Sequence, residues 1–237
     1  MSVMITHDRW MDLAAEERRR LEQILPALTL EQWAAPTLCD DWTVREVVAH
    51  LTGTAAAAAS VREQLRQQRH ASSEKGTGTQ LDAVNALQVR ERAHLELDEL
   101  RSQFTEASLA ALVRRQETPA VVRALRFPFP APLGWASLGF LIDVVYTRDA
   151  WMHRLDICDA VGRTPELTAA HDAVILADAA RVWLRRSGTE GIVLTGPIGM
   201  TLGNPGPTSP AYDGITFARA LSGRGSLPGI RDDLVLF

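Results

Sequence analysis

Three side chains on two separate segments have the types and spacing for chemistry: His50, Asp149 and His153. Asp149 and His153 are four residues apart, so on a helix both side chains can reach one point in space. His50 lies on another helical pattern, beside the apolar positions Val47 and Leu51. Two imidazoles and one carboxylate, with a fourth position open, form the ligand set of a catalytic zinc ion. The same set also holds Fe(II) in non-haem iron oxygenases, so the residue types leave the metal open.

Simpler interpretations exist for the same residues. An aspartate and a histidine four apart on a helix form a surface pair worth only about 0.2–0.5 kcal/mol. A lone histidine beside an apolar stripe is often a hydrogen-bonded core residue. This interpretation applies to His50 if its ring faces away from the segment that carries Asp149 and His153. Asp156, three residues after His153, is predicted either to orient a ligand imidazole or to pair with an arginine in the core.

The segment that carries the aspartates has a helical period. At about 100° per residue, the apolar residues between Leu138 and Val145 form one face, and Asp149 and Asp156 continue it. Burying carboxylates in a core is costly unless they pair or bind a metal. We therefore expect the chemistry on this helix, which is predicted over residues 137–160.

Three further helical patterns precede this one. They are predicted over residues 8–25, 43–69 and 81–115. Thr43 and Glu46 form a capping box that starts the second of them. Residues 119–134 contain four prolines and are predicted to form a long, stiff loop that walls a pocket, with Phe127 and Phe129 as apolar wall candidates. Four long helices joined by loops predict a four-helix bundle as the first domain.

The rest of the chain mixes helices with short strands. The predicted elements are a helix over 167–186, strands over 191–196 and 199–202, a helix over 213–221 and an edge strand over 234–237. These elements predict a small α+β C-terminal domain. The predicted domains are therefore 1–165 and 166–237, and the fold class is mainly α.

The composition excludes several functional classes. Of 237 residues, 46% are hydrophobic and 23% are charged, as in ordinary globular proteins. The net charge of −4 and the absence of a Lys/Arg run argue against a nucleic-acid partner. No segment approaches the roughly 18 apolar residues of a membrane span. Two cysteines and an N-terminus without a basic and apolar leader predict a cytoplasmic protein. Its expected assembly is a monomer or a homodimer.

Two blocks of the sequence resemble a known family. Residues 33–51, Trp-Ala-Ala-Pro-Thr-Leu-Cys-Asp-Asp-Trp-Thr-Val-Arg-Glu-Val-Val-Ala-His-Leu, resemble the second-helix signature of the mycothiol-dependent maleylpyruvate isomerase family. This family belongs to the DinB-like superfamily of metal-binding four-helix bundles. Residues 148–156 resemble its second block, an acidic residue, three others, then His-Arg-x-Asp. The tail, with Asp213-Gly and Leu221-Ser-Gly-Arg224, resembles the family's small sterol-carrier-like C-terminal domain in a shortened form.

The resemblance implies roles for individual residues. His50, Asp149 and His153 would be metal ligands, with zinc as the usual metal and another divalent ion as the alternative. Many members carry glutamate at the acidic position, so Asp149, one methylene shorter, implies a looser or shifted site. Arg224 corresponds to an arginine of the substrate pocket, which implies a bidentate contact with a substrate carboxylate.

The resemblance also implies an activity. It is a metal-dependent thiol transfer or cis–trans isomerisation of a small electrophilic substrate, with mycothiol as the thiol cosubstrate. Two alternatives use the same three residues: a non-enzymatic metal- or ligand-binding module, and a hydrolase that activates a metal-bound water.

Overall fold

The computed structural model describes residues 5–39, 42–73, 78–129 and 134–230. The chain divides into two units, Met1–Arg163 and Thr164–Phe237, whereas the sequence predicts a boundary after residue 165. Within the described ranges no helix is long and apolar enough to cross a membrane.

Eight α-helices and one hairpin are described in the first unit. They are α1 (His7–Ile24), α2 (Leu30–Trp33), α3 (Val44–Ala59), α4 (Val61–Ser73), α5 (Gln80–Arg90), α6 (Leu97–Gln116), α7 (Ala120–Arg123), β1 (Arg126–Pro128), β2 (Trp135–Ser137) and α8 (Tyr146–Ala160). Helices α1, α3, α6 and α8 form the bundle, in which α1 and α3 each pack against both α6 and α8. Their inward faces bury large apolar side chains, among them Leu13, Val47, Leu100 and Trp151. The predicted mainly α fold with a four-helix bundle is confirmed.

Two of the predicted long helices are each divided in two. The helix predicted over 43–69 breaks at Ser60, whose backbone is extended at φ −141° and ψ 117°. The Ser60 hydroxyl accepts the backbone N–H of Glu63, so this serine ends α3 and caps α4, a role that serine performs well. The helix predicted over 81–115 breaks before Glu96, which is extended at φ −68° and ψ 155°. The single-helix predictions for both segments are wrong.

The prediction of a continuous loop over residues 119–134 is also wrong. This segment contains α7 and the start of a hairpin in which β1 and β2 are antiparallel, with Phe127 opposite Ala136. The Phe127 and Phe129 rings meet edge to face at 6.2 Å, and Phe127 is 42% exposed. Residues 130–133, with two of the four prolines, lie outside the described residues.

The helix predicted over 137–160 is present, with a local departure at its start. Phe140–Val145 forms a π-helical segment that leads into α8, and π-bulges are frequent at functional sites. Asp143, within this segment, lies 3.0 Å from His7 Nδ1. This contact ties the start of α8 to the start of α1.

A buried ion pair links α1 to the middle of α8. Arg154 Nε donates to Glu17 Oε2 at 2.6 Å and Arg154 Nη2 donates to Glu17 Oε1 at 3.1 Å, and both side chains are 1% exposed. Two parallel hydrogen bonds fix direction as well as distance. The pair therefore sets the rotation of α8 about its own axis, and with it the face on which Asp149 and His153 lie.

The second unit combines two helices with a three-stranded sheet. Its elements are α9 (Asp172–Ser187), β3 (Gly191–Thr195), β4 (Met200–Gly203), β5 (Ala211–Asp213) and α10 (Gly214–Leu221). Strand β3 is central, antiparallel to β4 and parallel to β5. Asp213 caps α10 by accepting the Thr216 N–H at 2.9 Å.

The predictions for this unit hold in part. The hairpin over 191–202 and the helix over 213–221 are confirmed, while the helix predicted from residue 167 begins only at Asp172. Strand β5 is an element that the sequence did not predict. The edge strand predicted over 234–237 lies outside the described residues, and the sterol-carrier-like character of this unit stays a prediction.

Helices α3 and α5 approach closely at Gly53. A Cβ atom built on Gly53 would lie 2.5 Å from both Cβ and Cγ of Gln88, closer than real side chains pack. Gln67 joins the two positions, since its amide donates to Gly53 O at 3.1 Å and its carbonyl accepts from Gln88 Nε2 at 2.8 Å. Only glycine therefore permits this helix contact.

Gly53→Ala is expected to destabilise the protein by about 2 kcal/mol, because the overpacking cost of roughly 1–3 kcal/mol exceeds the helix propensity that alanine adds. Denaturant unfolding measures the difference. Gly206→Ala is the control, because no heavy atom lies within 4 Å of its added Cβ. Equal stability of the two variants would contradict the close approach.

Candidate metal centre

Helices α3 and α8 bring the three predicted residues together. The Nε2 atoms of His50 and His153 each lie 3.5 Å from Asp149 Oδ1, and the two imidazole centroids are 5.0 Å apart. One ligand atom from each residue lies within 4.8 Å of the other two. His50 therefore faces α8, and the three side chains share one site, while their role as metal ligands stays a prediction.

Local sequence rules place each of these side chains. The capping box fixes where α3 begins, because Glu46 Oε2 accepts both the backbone N–H of Thr43 at 2.7 Å and its hydroxyl at 2.8 Å. His50 then falls on the inward face of α3, next to fully buried Val47. On α8, the spacing of four residues sets Asp149 and His153 side by side.

The site is largely shielded from water. The side chains of His50 and His153 are each 5% exposed and that of Asp149 is 16% exposed. Burial disfavours the charged carboxylate, but the two imidazoles beside it hold the pKa of Asp149 well below its usual range. Burial likewise opposes the charged imidazole, and yet Asp149 and Asp156 raise the pKa of His153 above its ordinary value. Asp149 is therefore an anion that draws positive charge into the site.

The donor set fits a divalent cation such as zinc. Bond lengths of about 2.0–2.2 Å place tetrahedral ligand atoms roughly 3.3–3.6 Å apart, and both histidine nitrogens lie 3.5 Å from Asp149 Oδ1. Asp149 Oδ2 is also buried without a hydrogen-bond partner among the described residues. A buried carboxylate oxygen with no donor is costly, and a cation bound by the carboxylate would offset that cost.

Asp156 contacts one of the imidazoles. Its Oδ2 lies 3.0 Å from His153 Nδ1, and its side chain is 1% exposed. When Nδ1 donates this hydrogen bond, Nε2 keeps its lone pair and faces Asp149, which is the arrangement that metal-binding histidines use. Both roles predicted for Asp156, orientation of the imidazole and pairing with an arginine, stay predictions.

Trp42 is a part of the site that the sequence analysis missed. Its ring centroid lies 5.1 Å from that of His50 and 6.3 Å from that of His153. The backbone holds it there, since Trp42 O accepts from both the N–H and the hydroxyl of Thr37. Trp33 is buried in the apolar core, and Trp42 packs against the same core. Trp42 also covers the two imidazoles. Its position directly before Thr43, the cap of the helix that carries His50, could have indicated this.

Arg224 belongs to the second unit, in the turn after α10. Its Nη1 donates to Ser222 O at 3.4 Å, and its backbone N–H donates to Arg219 O. Its predicted contact with a substrate carboxylate stays a prediction.

Comparison with known proteins identifies the class to which this chain belongs. Residues 14–158 match the model of the family described as the mycothiol maleylpyruvate isomerase N-terminal domain. Because this match spans more than half of the chain, the chain belongs to that family, and the predicted family is confirmed.

Two solved structures share the fold. The crystal structure of the mycothiol-dependent maleylpyruvate isomerase has 19% sequence identity and a TM-score of 0.61, and that of a histidine-to-alanine mutant of it has 18% and 0.60. Each alignment covers 93% of this chain and 90% of the other. At this identity the likeness concerns the fold alone. No curated protein matches the chain.

Asp149→Asn is expected to destabilise the chelator-treated protein in a pH-dependent way. The lowered pKa of Asp149 contributes stability above its unfolded value near 4, and this is lost as the pH falls. The raised pKa of His153 contributes stability below about 6.5, and this is lost as the pH rises through the folded pKa. The difference from wild type should therefore be largest between about pH 4 and 6.5, on the order of 3 kcal/mol.

Denaturant unfolding across this pH range measures the effect. Asp12→Asn is the matched control, because its side chain is 71% exposed and such surface changes stay within about 0.5 kcal/mol. A pH-independent difference for Asp149→Asn would show that the carboxylate does not interact with the imidazoles.

Proposed function

We propose that this chain is a metal-dependent enzyme that uses a low-molecular-weight thiol of the mycothiol type. Its reaction is thiol transfer to a small electrophilic substrate, or cis–trans isomerisation of that substrate. The observation that carries the proposal is the buried convergence of His50, Asp149 and His153 with the Nε2–Oδ1 distances of 3.5 Å. Family membership supports the thiol and the class of reaction.

The side chains of the site have distinct tasks in this proposal. His50, Asp149 and His153 hold the metal, and zinc suits two imidazoles with one carboxylate. Asp156 fixes the tautomer of His153 through the 3.0 Å contact with Nδ1. The Trp42 ring shields both imidazoles on one side, which strengthens the electrostatic interactions of the site by excluding water.

A bound zinc ion supplies positive charge that lowers the pKa of a thiol and so favours the nucleophilic thiolate. In isomerisation, the thiolate sulfur forms a bond to one carbon of an activated double bond. The π electrons move to the other carbon, which becomes a carbanion stabilised by the activating group. Rotation about the resulting single bond and expulsion of the thiolate restore the double bond with the thiol unchanged. If the carbanion is instead protonated, the product is a thioether, and the reaction is that of a thiol S-transferase.

The chain supports an external thiol as the nucleophile. Cys158 is 1% exposed within the apolar core, and burial raises the pKa of its thiol, which makes it an inert core residue. Cys39 and Cys158 form no disulfide, and thiols of this kind suit the reducing cytoplasm, where we place the reaction.

Metal content is the first test. Wild-type protein purified without a metal column is expected to contain about one zinc ion per chain, measured by elemental mass spectrometry. His153→Ala should lose the metal, while the control His94→Ala, at an exposed position, should retain it. Wild type that stays empty after zinc is added back would refute the metal centre.

Turnover separates the alternatives. The proposed enzyme should convert a small electrophile only when thiol and zinc are both present, and His153→Ala should abolish conversion. A hydrolase of the same site would ignore the thiol. A binding module would show ligand-dependent thermal shifts without turnover.

Asp156→Asn tests the orientation of His153. Loss of the carboxylate behind a ligand histidine typically lowers metal affinity about 10–100-fold, because the tautomer with a free Nε2 is no longer favoured. Competition with a zinc chelator measures the affinity. Unchanged zinc affinity would mean that Asp156 does not orient His153 and contributes only to interactions within the core.

A further inference from the structure

An open cavity lies in the first unit, between α2, α3 and the end of α5. Its volume is about 410 Å³, within the range of roughly 300–1,000 Å³ that small-molecule sites have. Helix α3 presents His50 to α8 and lines this cavity with Arg45, Glu46 and Ala49. None of the three residues of the candidate metal centre lines it. The cavity is therefore a separate place that is large enough for a small organic ligand.

Two arginines form the charged side of the cavity. Arg45 Nη2 donates to Ala93 O at 2.9 Å and to Leu95 O at 2.5 Å, so its guanidinium lies at the turn after α5. Arg92 belongs to that turn, and its Nη1 donates to Gln88 O at 3.0 Å. Among the described residues, these two side chains hydrogen-bond only to backbone carbonyl groups. A guanidinium has five N–H donors, so both keep donors for a further acceptor.

One of these donors is buried without an acceptor. Arg92 Nε has no hydrogen-bond partner among the described residues. Burial lowers the pKa of Arg92, and the charges of Glu91 and Glu63 oppose this shift. Both carboxylates interact with Arg92 in this way, but their close ion pairs are with Arg66. A partly desolvated guanidinium is costly, and an anion bound beside Arg92 would offset part of that cost.

The α2 side of the cavity is apolar. Leu30, Trp33 and Ala34 line it there, and Leu97 lines it from the start of α6. Trp33 is 4% exposed and belongs to the core, whereas Leu30 is 75% exposed. A ligand with an apolar body would cover Leu30 and remove this surface from water, which is favourable.

The charges of the lining favour an anion. They are those of Arg45, Arg92 and a single carboxylate, Glu46, which leaves one positive charge in excess. Glu46 Oε2 already accepts the N–H and the hydroxyl of Thr43, so this carboxylate caps α3. The chain as a whole has a net charge of −4. A locally positive cavity with an apolar side therefore differs from the rest of the molecule.

We propose that this cavity binds a small carboxylic acid that has an apolar body. The carboxylate pairs with Arg45 and Arg92, because a guanidinium matches the planar geometry of a carboxylate. The apolar body lies against the α2 side. The site goes beyond the proposed function, since its ligand is held by residues that take no part in the candidate metal centre.

Octanoate is the probe, because it joins a carboxylate to an apolar chain. Below the concentration at which it forms micelles, and at constant ionic strength, octanoate is expected to raise the melting temperature of the wild-type protein in a saturable manner. 1-Octanol lacks the charge and acetate lacks the chain, so each should bind at least about 10-fold more weakly. Equal affinities for octanoate and 1-octanol would refute the role of the arginines.

Two variants locate the bound probe. Arg92→Met should weaken octanoate binding at least about 10-fold by calorimetry. Ala93 is exposed and lines the cavity, so Ala93→Phe should block binding, while the carbonyl of residue 93 still accepts from Arg45. The matched controls Arg62→Met and Ala110→Phe change exposed positions outside the lining and should bind as wild type does.

The two variants also protect the test against a folding defect. If Arg92→Met does not fold, Ala93→Phe still tests the cavity with both arginines in place. Denaturant unfolding shows which variants are folded. Octanoate affinity equal to that of wild type in either folded variant would overturn the proposal.

The experiment separates this site from the metal centre. Octanoate should bind chelator-treated and zinc-treated protein with equal affinity. Arg92-dependent binding by a protein that shows no thiol-dependent turnover would leave the acid site standing while the proposed function fails. Octanoate binding that is lost in Asp149→Asn, or that requires zinc, would place the probe at the metal centre and overturn the proposal for this cavity.

Discussion

The structure of the site depends on one buried carboxylate between two imidazoles. Asp149 is an anion inside a bundle, and its charge must be met by groups that come from different helices. His50 and His153 meet it only if α3 and α8 have the correct rotation. The capping box of Thr43 and Glu46 fixes the start of α3, and the paired hydrogen bonds from Arg154 on α8 to α1 fix α8. These contacts hold the three side chains of the site together.

Local rules predicted what is local in this molecule. The spacing of Asp149 and His153, the capping box, and the hairpin of β3 with β4 depend on neighbours within a few residues, and each is present. The approach of His50 to α8 depends on tertiary packing. Residue spacing could not predict it, and the prediction came from the family resemblance. The resemblance is confirmed for the family.

The helical period failed to predict two helix ends, because apolar residues continue the stripe beyond each of them. Apolar residues continue past Ser60 and past Glu96, so the pattern gives no sign that the backbone becomes extended there. The burial of Arg115, in the last turn of α6, was not predicted for a related reason. A basic residue in the last turn of a helix usually faces water and the helix dipole, and only packing against α8 shows that this one is buried.

Helix α8 carries a buried negative charge at Asp149. With neutral imidazoles, as metal ligands must be, Asp149 leaves an excess of negative charge that a divalent cation would neutralise. An uncompensated charge of this kind is costly in a low-dielectric interior. Its place at the centre of the bundle, between two imidazoles, is the physical argument for a cation at this position.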